Sequence, residues 1–144
     1  MNQAFIKKRP GLWGATGLIL LMSASAPAMD RWSALAMIES GGRDAAIGSH
    51  GEISRYQIRP ALWRGGSRLD AVAALANAQR IMTARLTAFE RTRGRPASDF
   101  EFYILWNAPA QISHPHRAIA ERASRFTNLM TDGATNGTPV LAAR

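Results

Sequence analysis

The longest periodic pattern in the chain constrains its fold more than any other feature. Between about Asp70 and Arg91, apolar side chains recur at the spacing of one face of an α-helix. This apolar stripe consists of Val72, Leu75, Met82, Leu86 and Phe89. A helix of this length buries such a stripe only if other elements pack along it. We therefore predict a mainly α-helical fold in which this helix is the scaffold.

Start and stop signals predict three shorter helices around this scaffold. Asp30 is a suitable N-cap, Gly41 is a suitable stop, and Ser98 with Glu101 forms a capping box. A last helix is expected to begin near Pro115, because proline is favoured in a first helical turn. The predicted ranges are 31–40, about 99–107 and about 115–130.

Two segments before the scaffold helix have weaker signals. The pattern from Glu52 to Ile58 predicts a short extended segment or hairpin. Pro60 then suits the first turn of a short helix that reaches Trp63. Both segments are expected to lie beside the 31–40 helix.

The first 28 residues have the pattern of a secretory signal peptide. Lys7, Lys8 and Arg9 precede an apolar run over 12–22, and small residues follow up to a predicted cleavage site after Ala28. The run is shorter than the roughly 20 residues that span a bilayer, which disfavours a permanent anchor. We predict a signal peptide (1–28), one domain (29–130), a flexible C-terminal tail (131–144) and a periplasmic or secreted product.

The predicted mature chain is basic and has no cysteine. Its leader holds three of the 18 basic residues, which leaves 15 arginines against 10 acidic residues and a net charge of +5. The lack of cysteine excludes disulfides and thiolate catalysis. The charge suits an anionic cell-wall polymer as partner, or it only aids solubility. Scattered arginines without a recognition motif argue against a nucleic-acid partner.

Glu39 is the strongest candidate for chemistry. It follows Trp32, Leu35 and Ala36 at helical spacing, so it shares the face that points at the core. Burial without a partner raises the pKa of a carboxyl group and keeps it protonated. Cleavage of a glycosidic bond requires such an acid, because the leaving oxygen is protonated as the bond breaks. The alternative is that Glu39 turns to solvent or pairs with an arginine.

Three sequence blocks in order carry a resemblance to a known family. They are Glu-Ser-Gly-Gly at 39–42, Gly-Glu-Ile-Ser-Arg-Tyr-Gln-Ile at 51–58 and Leu-Trp-Asn-Ala-Pro at 105–109. The series resembles the lytic transglycosylase domain of the soluble lytic transglycosylase type, a relative of goose-type lysozyme, over about 31–130. The resemblance implies a small lysozyme-like helical domain. It also implies cleavage of the β-1,4 bond between N-acetylmuramic acid and N-acetylglucosamine in peptidoglycan, with a 1,6-anhydro product.

The resemblance also implies a role for each matching polar residue. Glu39 would act first as the acid and then as the base, with Ser40 or Ser49 hydrogen-bonded near it. Gln57 and Asn107 would hold an N-acetyl sugar, since an amide side chain both donates and accepts hydrogen bonds. The structural alternative for Asn107 is a helix C-cap.

Three aromatic residues belong to the same candidate site. Tyr103 lies four residues before Asn107 on the predicted helix, so both side chains face one pocket. Tyr56 and Trp106 stand where the family has methionine and tyrosine, and both offer a flat surface to a sugar ring. Packing in the core is the alternative for all three.

A hydrolase with the same fold is the second hypothesis. It would need a further carboxylate as nucleophile or as the base for water, and Asp44 and Glu52 are the candidates. Glu52 has a structural alternative as an arginine partner or a solvated turn residue. The transglycosylase family is thought to use the sugar's own acetamido group and 6-hydroxyl, which requires only Glu39. A catalytically silent glycan-binding protein is the third hypothesis.

No cofactor or metal is implied by the sequence. His50 is isolated, and His114 and His116 have no third ligand at the spacing of a zinc site. Nothing matches a phosphate-binding glycine loop or a nucleophile elbow. Peptidoglycan strands are therefore the expected partner.

Overall fold

A computed structural model describes residues 29–135, and these form a mainly α-helical domain, as predicted. Its α-helices are α1 (Arg31–Ser40), α2 (Ala71–Arg93), α3 (Asp99–Asn107) and α4 (Arg117–Thr135). Short 3₁₀ helices span Pro60–Leu62 and Pro109–Gln111. No helix within the described residues is long and apolar enough to cross a membrane. The predicted signal peptide and the part of the tail from residue 136 lie outside the described residues.

Local capping determines α1 and α3, which have the predicted bounds. The Asp30 carboxylate accepts hydrogen bonds from the backbone amides of residues 32 and 33 at 2.9 and 3.2 Å. Gly41 ends α1 in the left-handed conformation, with φ of 66°. Ser98 and Glu101 form both hydrogen bonds of a capping box at the start of α3. Each cap satisfies amides that the first helical turn leaves unpaired.

Helix α4 begins and ends later than the sequence predicted. The carbonyl of His116 accepts the amide of Ala120 at 3.0 Å, so the first helical residue is Arg117 and Pro115 precedes the helix. The helix continues to Thr135, so residues 131–135 of the predicted flexible tail are helical.

The predicted extended segment from residue 52 to 58 is not confirmed. Within the described residues the structure has only isolated bridges, and Ile53 and Ile58 exchange two backbone hydrogen bonds of 2.9 and 2.8 Å. The residues between them form a tight turn, in which Ser54 and Gln57 have positive φ of 69° and 51°. Non-glycine residues rarely adopt this conformation, so the side-chain pattern did not indicate it.

The buried side of α2 differs from the predicted apolar stripe. Val72 is 75% exposed, although Met82 and Phe89 are buried as expected. The buried face also includes the small residues Ala74 and Ala78. Leu75 and Leu86 of the predicted stripe are partly buried against the core, so Val72 is the stripe residue that lies outside it.

Helix α3 is the centre of the core. Five consecutive residues, 102–106, are buried, so this helix is covered on all sides. The rings of Phe102 and Phe126 stack with centroids 5.7 Å apart, which joins α3 to α4. The Trp32 ring meets Phe102 edge-on at 5.6 Å, which joins α3 to α1. The central position of α3 brings its polar residues next to the end of α1.

Candidate active site

Glu39 lies in the last turn of α1, next to the glycine cap, and two residues of α3 hold it. The Tyr103 hydroxyl donates a hydrogen bond to Glu39 Oε1 at 2.9 Å. The Asn107 amide approaches the same oxygen at 3.5 Å. Tyr103 and Asn107 are one helical turn apart, as the sequence predicted, and Tyr103 is fully buried. One carboxyl oxygen is therefore fixed in position.

The other carboxyl oxygen of Glu39 faces solvent in the cleft. Among residues 29–135 no donor reaches Oε2. No buried side-chain nitrogen or oxygen in this part of the chain lacks a partner, so the unbonded Oε2 is accessible to solvent. A proton on Oε2 is thus available to a molecule in the cleft.

Burial raises the pKa of Glu39. Desolvation is the largest cause, and the Tyr103 hydrogen bond and the charge of Arg122 partly offset it. The charge of Glu52 raises this pKa further. Glu39 is therefore protonated at a higher pH than an ordinary glutamate, as a general acid requires.

A cleft of about 590 Å³ opens beside Glu39. Its volume lies within the range of about 300–1,000 Å³ that is usual for ligand sites. The cleft is lined by Glu39, Gly48, Ser49, His50, Glu52, Gln57, Ile58, Arg59, Leu62, Ile81, Arg85, Trp106, Asn107, Pro109 and Arg122. Residues 48–59 and α3 supply most of the polar groups, which include both predicted amide side chains.

The loop before Gln57 is shaped around Gly48. A Cβ atom at Gly48 would overlap side-chain oxygens of both Glu52 and Gln57. Backbone hydrogen bonds from Gly48 to Glu52 at 2.8 Å and from Gly51 to Gly48 at 3.1 Å close the loop. Glycine at position 48 therefore lets the Glu52 and Gln57 side chains lie together at the cleft.

The pKa of Glu52 is shifted in the opposite direction to that of Glu39. Its own backbone amide, followed by the amide of His50 at 3.0 Å, lowers the pKa of the Glu52 carboxyl group. His50 Nδ1 lies 3.7 Å from the same carboxylate. Two carboxyl groups whose pKa values move apart line one cleft, which is a recurrent arrangement in acid–base catalysis. Asp44, the other candidate, instead forms a two-bond ion pair with Arg55 at 2.6 and 2.8 Å and does not line the cleft.

Neither candidate serine hydrogen-bonds to Glu39. Ser40 is buried, and its hydroxyl donates to the carbonyl of Arg55 at 2.8 Å and accepts the amide of Arg43 at 3.1 Å. It therefore attaches the end of α1 to the loop that carries Gln57. Ser49 lines the cleft, but its Oγ lies 3.1 Å from Nδ1 of His50.

Of the two aromatic residues predicted to offer a flat surface to a sugar, Tyr56 lies in the core and Trp106 borders the cleft. Tyr56 is only 3% exposed and does not line the cleft, so its ring is not available as a sugar platform. Its ring meets Trp32 at 6.2 Å and Trp106 at 6.5 Å, both edge-on. Trp106 is 7% exposed and lines the cleft, so it both packs in the core and borders the site.

Three arginines of the cleft were not among the predicted site residues. They are Arg59, Arg85 and Arg122. Arg59 follows the Gln57–Ile58 block directly, and that adjacency was the one signal that could have identified it. The other two come from α2 and α4, and only the tertiary fold brings them to Glu39. The described residues contain no group of three or more histidine or acidic side chains that could hold a metal ion.

Comparisons with known proteins found no match. No protein-family model matches the chain, and no match was found among curated proteins or among solved structures. The family resemblance therefore depends on the three sequence blocks alone.

Proposed function

We propose that this protein is a peptidoglycan lytic transglycosylase with a lysozyme-like arrangement of its helices. The observation that carries the proposal is the environment of the Glu39 carboxyl group. One of its oxygens is bonded to Tyr103, the other is open to the cleft, and burial raises the carboxyl pKa. A sugar polymer in the cleft would meet a positioned acid.

The reaction needs only this one carboxyl group to move protons. Glu39 gives its proton to the glycosidic oxygen, and the bond from that oxygen to C1 of N-acetylmuramic acid breaks. The acetamido oxygen of the same sugar stabilises the positive charge at C1. Glu39, now a carboxylate, then removes the proton of the 6-hydroxyl as its oxygen bonds to C1. The product carries a 1,6-anhydro ring, and Glu39 is protonated again.

Amide side chains next to Glu39 support recognition of N-acetyl sugars. Gln57 and Asn107 both line the cleft, and each can bond to an acetamido group through a donor and an acceptor. Trp106 borders the same space with an aromatic ring. The signal-peptide pattern of the leader would deliver the enzyme to the compartment that contains peptidoglycan.

A hydrolase of the same substrate is a second candidate, because Glu52 lines the same cleft as Glu39 and its pKa is lowered. In a hydrolase, an ionised carboxylate in this cleft would act as a nucleophile or position water. The two reactions differ in product, since hydrolysis leaves a reducing end and transglycosylation leaves an anhydro end.

Purified sacculi provide the test. The chain from Met29 onward is incubated with sacculi, and the ends of the released fragments are identified by mass. Anhydro ends support the transglycosylase, and reducing ends support the hydrolase. A folded protein that binds sacculi and releases nothing would refute both enzymatic functions.

A further inference from the structure

Three arginines of the cleft form no ion pair with an acidic side chain in the part of the chain that the structure describes. Among the described residues, no carboxylate lies within ion-pair distance of Arg59, Arg85 or Arg122. Arginines elsewhere in this part of the chain do form such pairs, as Arg55 does with Asp44 and Arg95 with Glu101. The charge of Arg59 acts on Glu52 and that of Arg122 acts on Glu39, but neither carboxylate is within ion-pair distance. Arg59 and Arg85 therefore keep side-chain donors that a ligand can use.

Arg85 is half-buried and fixed in orientation. Its Nη1 donates to the carbonyls of Leu105 and Trp106 at 2.8 and 2.5 Å, at the end of α3. Its guanidinium carbon also lies 5.7 Å from the centroid of the Trp106 ring. Its other donors, Nε and Nη2, have no acceptor among residues 29–135, and none of the unpaired side-chain atoms there is buried. Arg85 therefore presents preorganised donors to solvent.

Arg59 adds a second cation near Arg85. It is exposed, immediately precedes the 3₁₀ helix Pro60–Leu62, and has no side-chain hydrogen bond within the described part of the chain. After burial, the charge of Arg59 is the next cause that lowers the pKa of Arg85, so the two guanidinium groups repel each other. An anion bound between them would relieve that repulsion. A carboxylate matches the planar fork of a guanidinium group best among the anions of a glycan strand.

We propose that Arg59 and Arg85 form a subsite for a carboxylate of the glycan strand. The inference rests on the proposed function and specifies its substrate as an anionic glycan instead of a neutral one. Two sources of the carboxylate exist in peptidoglycan. The lactyl group of muramic acid is a free carboxylate in peptide-free strands. In peptide-bearing strands it is an amide, and the stem peptide supplies the carboxylates.

Binding measurements on the Glu39→Gln chain test the subsite without cleavage of the ligand. Arg59→Gln is added to that chain, and the affinities for peptide-free strands, peptide-bearing strands and a neutral chito-oligosaccharide are compared at low salt. We expect binding to at least one anionic strand to weaken about tenfold, as for the loss of one charge-assisted hydrogen bond, while chito-oligosaccharide binding changes less than about twofold. Weaker binding of peptide-free strands identifies the lactyl carboxylate as the group that the subsite binds. Weaker binding of peptide-bearing strands alone identifies a carboxylate of the stem peptide.

A matched variant separates the subsite from the general charge of the protein. Arg68 is exposed, does not line the cleft and has no ion pair in the described part of the chain, so Arg68→Gln makes the same change of charge. It is expected to leave all three affinities unchanged. Three results would each overturn the proposal. In the first, Arg68→Gln weakens binding as much as Arg59→Gln does. In the other two, Arg59→Gln weakens binding of the neutral oligosaccharide equally, or it weakens binding of neither anionic strand.

Arg85→Gln provides a second variant, with its melting temperature measured because Arg85 also holds carbonyls of α3. If the folded Arg85→Gln protein binds anionic strands more weakly but keeps its affinity for the neutral oligosaccharide, the subsite is supported. If both affinities fall equally, the result contradicts the subsite. These results do not depend on turnover. A wild-type chain that binds anionic strands through Arg59 but releases no fragments would refute the proposed function and keep the subsite.

Discussion

Glu39→Gln is the most direct perturbation of the proposed mechanism. The amide has nearly the same shape as the carboxylic acid, and its oxygen can still accept the Tyr103 hydrogen bond that is 2.9 Å long in the wild type. The glutamine side chain has no acidic proton at the position of Oε2, so it cannot protonate a leaving oxygen. Positioned acid–base groups typically contribute about 10²–10⁴-fold to rate, so cleavage of sacculi should fall by at least about 10²-fold.

The same variant should become more stable than the wild type as the pH rises. Burial raises the pKa of Glu39 in the folded protein above its ordinary value, so folding favours the protonated form. The contribution of Glu39 to the free energy of unfolding is fully present below its pKa in the unfolded chain. This contribution is lost as the pH rises through its pKa in the folded protein. Glutamine has no charge to bury, so the difference in unfolding free energy should increase over that pH range.

The rate at which soluble fragments are released measures the loss of cleavage. Urea unfolding at several pH values measures the change in stability. Glu90→Gln is the matched control, because Glu90 is exposed on α2 and does not line the cleft. It should keep the wild-type rate and the wild-type pH dependence. Cleavage by folded Glu39→Gln protein within about tenfold of the wild type would show that Glu39 is not the acid.

Three further predictions concern the surroundings of Glu39. Glu52→Gln should reduce cleavage by less than about tenfold in a transglycosylase; a loss as large as that of Glu39→Gln would favour the hydrolase. Tyr56→Ala should lower the unfolding free energy by about 3–5 kcal/mol, since its ring is in the core, whereas Trp106→Ala should also weaken chito-oligosaccharide binding. Calorimetry and titration of both proteins check this, and weaker binding by folded Tyr56→Ala would contradict the core assignment. Gly48→Ala should weaken glycan binding because its methyl group displaces Glu52 and Gln57, and unchanged affinity would contradict that role.

Much of the helical fold could be predicted because its signals are local. The N-cap Asp30, the stop at Gly41 and the capping box of Ser98 and Glu101 each involve residues within one turn of each other. These signals gave the bounds of α1 and α3. The helical spacing of Tyr103 and Asn107 predicted that both face one pocket, but it did not predict the hydrogen bond from Tyr103 to Glu39, for which Ser40 and Ser49 were the candidates.

The loop before Gln57 could not be predicted in the same way. Its turn depends on positive φ at two non-glycine residues, Ser54 and Gln57. It also depends on a hydrogen bond that the Ser40 hydroxyl donates to the carbonyl of Arg55, 15 residues further along the chain. The assignment of both Tyr56 and Gln57 to the site was also inconsistent with an extended segment, because neighbouring side chains there point to opposite faces. In the structure Gln57 lines the cleft and Tyr56 lies in the core.

The two carboxyl groups of the cleft favour the transglycosylase over a hydrolase that activates water with Glu52. Backbone amides hold the Glu52 carboxylate and lower its pKa. A lower pKa makes a group a weaker base, so Glu52 is poorly suited to remove a proton from water. Glu39 becomes the stronger base once it has given up its proton, because its burial favours recovery of that proton. The same residue is therefore suited to both proton transfers, first to the leaving oxygen and then from the 6-hydroxyl.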